Sequence, residues 1–94
     1  MRIDTYIWLD RIEDKIISKH GVYPHEVEEM LSNAPRTIFR EKGYTANEDV
    51  YAAFGQTYGG RYVVAYYIYK PDHRALILSA RDMTRKEKRR YGRK

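Results

Sequence analysis

The chain has no cysteine, which excludes a disulfide framework, a thiolate zinc site and a cysteine nucleophile. Histidine is almost as scarce: His20, His25 and His73 have no ligand spacing, and no paired-carboxylate motif accompanies them. No metal or other cofactor is expected from such a set. No stretch approaches the ~18 consecutive apolar residues of a membrane-spanning helix. The opening Met1-Arg2-Ile3-Asp4 has no apolar signal segment, so the expected location is the cytoplasm, with no membrane partner. Repeats, low-complexity tracts and linkers are also missing, and 94 residues suit one domain spanning 1–94.

Aromatic residues make up 14% of the chain, and ten of the thirteen are tyrosines. Much of the large apolar surface therefore carries a polar tip. Charge is plentiful and uneven. Residues 1–47 hold seven Lys/Arg against eight Asp/Glu, whereas residues 48–94 hold eleven against five. Seven of those bases lie in the last eleven residues, ending in a basic tail at 92–94. A block of this kind suits phosphate, an acidic protein partner or plain solvent.

Periodicity predicts the elements. Residues 3–8 alternate as a strand, with Ile3, Thr5 and Ile7 opposite Asp4, Tyr6 and Trp8. Residues 9–20 follow as a helix, with Leu9, Ile12 and Ile16 at helical spacing and Ile17 widening the stripe. Gly21 supplies a left-handed stop. Pro24 opens a second helix, with Val22 and Val27 placed as a hydrophobic staple. A short strand is expected at 36–40, a polar loop at 41–47 and a strand at 49–56. Tyr58-Gly59-Gly60 reads as a hairpin turn, and residues 61–70, apolar on both faces, as a central strand. In the strand at 75–81, Leu76, Leu78 and Ala80 are assigned to one face and Ala75, Ile77, Ser79 and Arg81 to the other. Thr84 and Glu87 form a capping-box signature for a terminal helix. The expected fold class is α+β, order β-α-α-β-β-β-β-α, with the helices packed on a mainly antiparallel sheet.

Three segments carry a family resemblance. They are Trp8 with Lys19-His20-Gly21-Val22; Gly55 with Gly60-Arg61; and Ser79-Ala80-Arg81-Asp82-Met83-Thr84 with Glu87 and Tyr91. Together they resemble the BrnT family, toxins of type II toxin–antitoxin pairs within the RelE-like ribonuclease superfamily. The resemblance implies a RelE-like fold and metal-independent cleavage of RNA, in which the ribose 2′-OH attacks the adjacent phosphorus. It also implies a cognate antitoxin of the ribbon-helix-helix type, so that DNA is touched only indirectly, through that partner. Leu9, Ile12, Ile16 and Val50 depart from the family pattern, which at these positions has an acidic residue, lysine, asparagine and arginine. A binding module of the same fold without catalysis is therefore the alternative.

Such a reaction needs a proton acceptor, a proton donor and cations on the phosphorane oxygens. Arg81, at a strand end, is the first candidate for the phosphate, against a salt bridge with Asp49 or Asp82. Arg61 is the second, against a solvated hairpin flank. His20 has the intrinsic pKa of a base but also suits a helix end, bonding the last carbonyls. Tyr91 is a candidate proton donor or stacking platform, against packing of its helix on the sheet. Lys19, Lys86, Arg89 and Arg90 are the candidate RNA-binding cations. Glu87 is read as the capping partner of Thr84, His73 as an exposed turn residue, and Tyr62, Tyr66, Tyr67 and Tyr69 as mainly core.

Overall fold

The computed structural model describes residues 1–43 and 48–92. Most of the loop expected at 41–47, and the tail residues Arg93 and Lys94, lie outside the described residues. The first strand, β1 (Thr5–Ile7), leads into α1 (Asp10–His20). Asp10 and Glu13 in its first turn and Lys19 and His20 in its last complement the helix dipole. Gly21 ends it at φ 63°, donating its N–H to the Ile17 carbonyl at 3.0 Å. Next comes α2 (Pro24–Ser32), with proline in the first turn, where no N–H partner is needed. The Glu26 carboxylate reaches back to the Tyr23 N–H at 3.0 Å. The staple residues Val22 and Val27 are both fully buried.

The remaining elements are β2 (Arg36–Glu41), β3 (Val50–Gln56), β4 (Tyr62–Tyr69), β5 (Arg74–Asp82) and α3 (Arg85–Gly92). Among the described residues the strands form one sheet in the order β1-β5-β4-β3-β2. Each hairpin neighbour runs antiparallel, while β1 joins β5 in parallel. The α+β class and the order of elements agree with the sequence reading. β1 is shorter than expected and sits at a sheet edge, with Ile3 packed against the core outside the ladder.

β4 is central and buried on both faces, as its unbroken apolar run predicted. Val63, Ala65 and Tyr67 point to a large core with Ile16 of α1 and Val27, Met30 and Leu31 of α2. Val64 points the other way, into a smaller cluster with Met83 and Tyr91, flanked by Phe54, Tyr62 and Tyr66. Thus α1 and α2 cover one face of the sheet and α3 part of the other. The hairpin between β3 and β4 closes with the Gly60 N–H on the Thr57 carbonyl at 3.0 Å, and Gly60 adopts φ 94°.

One expectation fails inside β5. Ala75 and Ile77 belong to the same core as Ala80, not to the opposite face. The ladder shows why: Tyr66 pairs with Ser79 but Tyr67 pairs with Ile77, so Leu78 is an extra residue. This bulge resets the alternation, putting Leu76, Ser79 and Arg81 on the α3 side of the sheet.

The left-handed stop at Gly21 makes a simple prediction. An added Cβ meets no atom within 4 Å, so Gly21→Ala is penalised only for its backbone conformation. We expect a loss of about 1 kcal/mol and a melting temperature lower by roughly 4–8 °C, read by thermal denaturation.

Candidate functional site

On the face opposite α1 and α2, a groove of about 430 Å³ runs from the edge strand β2 to α3. Arg36, Ile38 and Arg40 border it from β2, Phe54 and Tyr66 from β3 and β4, and Arg81 from β5. From α3 come Glu87, Arg90 and Tyr91. The β residues share this face because they are paired across the ladders. Arg36 pairs with Phe54, Phe54 with Val64 and Val64 with Arg81, making one continuous transverse row.

Arg81 is held, rather than free. Its Nη1 and Nη2 donate to the two Glu87 carboxylate oxygens at 2.7 and 2.9 Å. Further bonds run to the Asp82 carbonyl at 3.1 Å and the Tyr66 hydroxyl at 3.1 Å. A guanidinium has five N–H donors, and the Nε–H has no partner among the described residues. The Glu87 hydrogen bond is the main reason the Arg81 pKa rises above its ordinary value, with Tyr66 adding to it. Reciprocally, the Arg81 hydrogen bond lowers the Glu87 carboxyl to about 2, with the Thr84 contacts helping. Glu87 does cap α3 as read from the sequence, accepting from the Thr84 N–H at 2.8 Å while its own N–H reaches the Thr84 hydroxyl at 3.2 Å. Arg81 thus has an acidic partner, but it is Glu87 and not Asp49 or the Asp82 carboxylate. Asp49 instead accepts from the Gly43 N–H at 3.2 Å.

The structure brings Arg81, Tyr91 and Arg90 to one groove and holds Arg61, His20 and Lys19 apart from them. Arg61 directly precedes β4 and lies on the α1/α2 side. Its Nε and Nη2 donate to Asp82 at 2.7 and 3.1 Å, and its Nη1 to Glu26 at 3.0 Å and the Gly21 carbonyl at 2.9 Å. A longer bond reaches the backbone carbonyl of His20 at 3.4 Å. The Asp82 hydrogen bond raises the Arg61 pKa, and the Arg61 hydrogen bond lowers that of Asp82. Arg61 therefore fastens the end of α1 and the start of α2 to the sheet. His20 and Lys19 close α1 on that same side. Lys86 and Arg89 are exposed on α3 and do not border the groove. Tyr91 is largely buried and meets Tyr62 edge-on at 6.1 Å. Of the tyrosine run, Tyr67 is core as expected, while Tyr66 belongs to the groove. His73 is half-buried, its Nδ1 2.6 Å from the Tyr69 hydroxyl.

Sequence reasoning did not single out Arg36 and Arg40, which border the groove. Their even spacing around Ile38 in a strand was the available signal, but which face they share, and with what, depends on pairing to β3. The departures at Ile12 and Ile16 have a structural use here: Ile16 is fully buried and Ile12 packs against the same core. Among the described residues no group of three or more His, Asp or Glu side chains comes together to hold a metal ion. Nor is any helix among them long and apolar enough to cross a membrane.

Comparison with known proteins adds to this geometry. A family model described as the ribonuclease toxin, BrnT, of type II toxin–antitoxin systems matches residues 8–87. Among solved structures, the chain is similar to the Brucella abortus ribonuclease toxin BrnT, a crystal structure at 1.1 Å resolution. The TM-score is 0.63 with 18% identity, covering 86% of this chain and 97% of that one. At that identity the likeness carries the fold. No curated protein matches the chain.

Two predictions follow from the ion pairs. Arg61→Ala removes a charged, multiply bonded group whose side chain is 31% exposed, and should cost about 2 kcal/mol in a denaturant titration. Glu87 has a depressed folded pKa, so its contribution is complete above its ordinary value of 4.5 and is lost as pH falls toward about 2. With 22% of that side chain exposed, solvent screening reduces the contribution to on the order of 2 kcal/mol. Glu87→Gln should therefore be less stable than wild type at neutral pH and lose less stability between pH 4.5 and about 2. Parallel acid-unfolding curves for the two proteins would show that the pair contributes nothing.

Proposed function

Since the chain belongs to the BrnT family of ribonuclease toxins of type II toxin–antitoxin systems, we propose that it cleaves RNA in the arginine-lined groove, without a metal, by attack of a ribose 2′-OH. The 2′-oxygen bonds to the adjacent phosphorus as the P–O5′ bond breaks. The 2′-OH proton leaves to a base, and the 5′-oxygen gains one. The products are a 2′,3′-cyclic phosphate and a free 5′-hydroxyl. The observation that carries this reading is the convergence of Arg81 with Tyr91 and three further arginines on one groove.

Arg81 stabilises charge on the phosphorane oxygens, where a preorganised cation is worth most. Glu87 and Tyr66 fix the plane of its guanidinium, so little reorganisation accompanies the reaction. Arg81 and Arg61 stay charged at any working pH and cannot serve as the base. Tyr91 borders the groove as a phenolic donor for the departing 5′-oxygen. His20 lies on the far side of the sheet, and in this reading Arg61 is a scaffold for the α1–α2 turn.

A cognate antitoxin is the partner that a type II toxin implies. We place its class as ribbon-helix-helix, with operator DNA bound by the antitoxin rather than by this chain, and the pair acting in the cytoplasm. The basic α3, with Lys86, Arg89 and Arg90, offers that partner or RNA a favourable approach.

Purified protein should cut RNA in EDTA and leave 2′,3′-cyclic or 3′-phosphate ends. Arg81→Ala should reduce cleavage about a hundredfold while remaining folded, and Arg81→Lys should recover only part of the loss. Cleavage that requires added Mg²⁺ contradicts the mechanism. Tight RNA binding with no cleavage under any condition favours the non-catalytic alternative.

A further inference from the structure

The cations of the groove fall into two groups. Arg81 is committed to Glu87. Arg36, Arg40 and Arg90 border the same groove without an ion pair or side-chain hydrogen bond among the described residues. Unpaired arginines gathered on one concave face leave their forks available to an outside anion.

Two of them sit on the edge strand. Arg36 and Arg40 lie on either side of Ile38, on the face that α1 and α2 leave uncovered. Arg40 is the extra residue where the β2–β3 register shifts between Phe39 and Glu41, and a bulge of this kind re-aims a side chain. Arg36 shares the transverse row with Phe54, Val64 and Arg81. With strands ~4.8 Å apart, that row spans about 14 Å from β2 to β5. Phe54 lines the groove between Arg36 and Arg81, and an aromatic face accepts any base by stacking.

We infer that Arg36 and Arg40 form a track for single-stranded RNA, gripping phosphates that flank the cleavage point while the bases pass over Phe54. This inference rests on the ribonuclease reading of the groove. RNA is preferred to an acidic peptide because the track runs directly into Arg81 and offers an aromatic surface between cations, the combination that suits a single strand. The two arginines bind flanking phosphates and do not take part in bond breaking.

The test uses the whole chain and its Arg36→Ala, Arg40→Ala and double variants. Both residues are exposed and, among the described residues, have no ion pair or side-chain hydrogen bond, so thermal melts should match wild type. Binding is measured by fluorescence anisotropy on a fully 2′-O-methylated, uncleavable RNA oligomer, and cleavage on a dinucleotide and on the matching unmodified oligomer. For the double variant, affinity for the oligomer should fall at least about tenfold, with a salt slope shallower by about 1.4, or ~0.7 per lost phosphate contact. KM for the oligomer should rise, kcat should hold, and dinucleotide cleavage should not change. Unchanged affinity and slope overturn the track, as does an equal loss on dinucleotide and oligomer, which would make the arginines catalytic. Loss of antitoxin binding with RNA binding intact would instead make this edge a protein-docking surface. Absence of cleavage by wild type overturns the ribonuclease reading alone, because the uncleavable oligomer still decides the track.

Discussion

A single extra residue in β5 governs the arrangement of this protein. Ala75 and Ile77 must face the core under α1 and α2, since both are fully buried there. With strict alternation, Ser79 and Arg81 would follow them into that core, and a guanidinium would be stranded beneath two helices. The bulge at Leu78 moves Ala80 inward and Arg81 outward. The sheet thus keeps an unbroken apolar face on one side and gains a cationic position on the other. Bulges serve this re-aiming purpose at functional sites elsewhere.

The same strand end then joins both helical layers. Arg81 and Asp82 are consecutive and point to opposite faces. On one side Arg81 takes Glu87 and ties α3 to the sheet; on the other Asp82 takes Arg61, which also holds Glu26 and the carbonyl of Gly21. The Arg81–Glu87 and Arg61–Glu26 pairs are partly shielded, with arginine side chains 29% and 31% exposed, so each is worth more than a surface bridge and less than a buried one. Two arginines that look equivalent in the sequence therefore do different work. One lies in the groove beside Tyr66 and Tyr91, and the other is a clamp among backbone carbonyls.

Among the described residues, the groove also separates paired from unpaired charge. Glu87 neutralises the cation nearest the centre and fixes its orientation. Arg36, Arg40 and Arg90 stand at the margins without an ion pair among the described residues. A free arginine at the centre would bind phosphate tightly but without a defined plane. A held one gives up affinity for geometry, which suits contacts made mainly in a transition state.

Local chemistry was enough to determine much of this in advance. The Gly21 stop, the Pro24 start, the Val22–Val27 staple, the Thr84–Glu87 capping box and the two-sided β4 all act within a few residues, and each stands where its pattern put it. The motif from Ser79 to Tyr91 likewise pointed to the family and to Arg81. What the sequence could not determine are the properties that depend on pairing between distant segments. A bulge leaves no mark in the alternation of one strand, because only the partner strand reveals which residue is extra. Arg61 and Arg81 are both basic residues at strand ends, and only the ladder assigns them to opposite faces. Arg36 and Arg40 gained a place beside Arg81 through β3 and β4, two strands that lie between them in space and bring together positions more than forty residues apart in the chain.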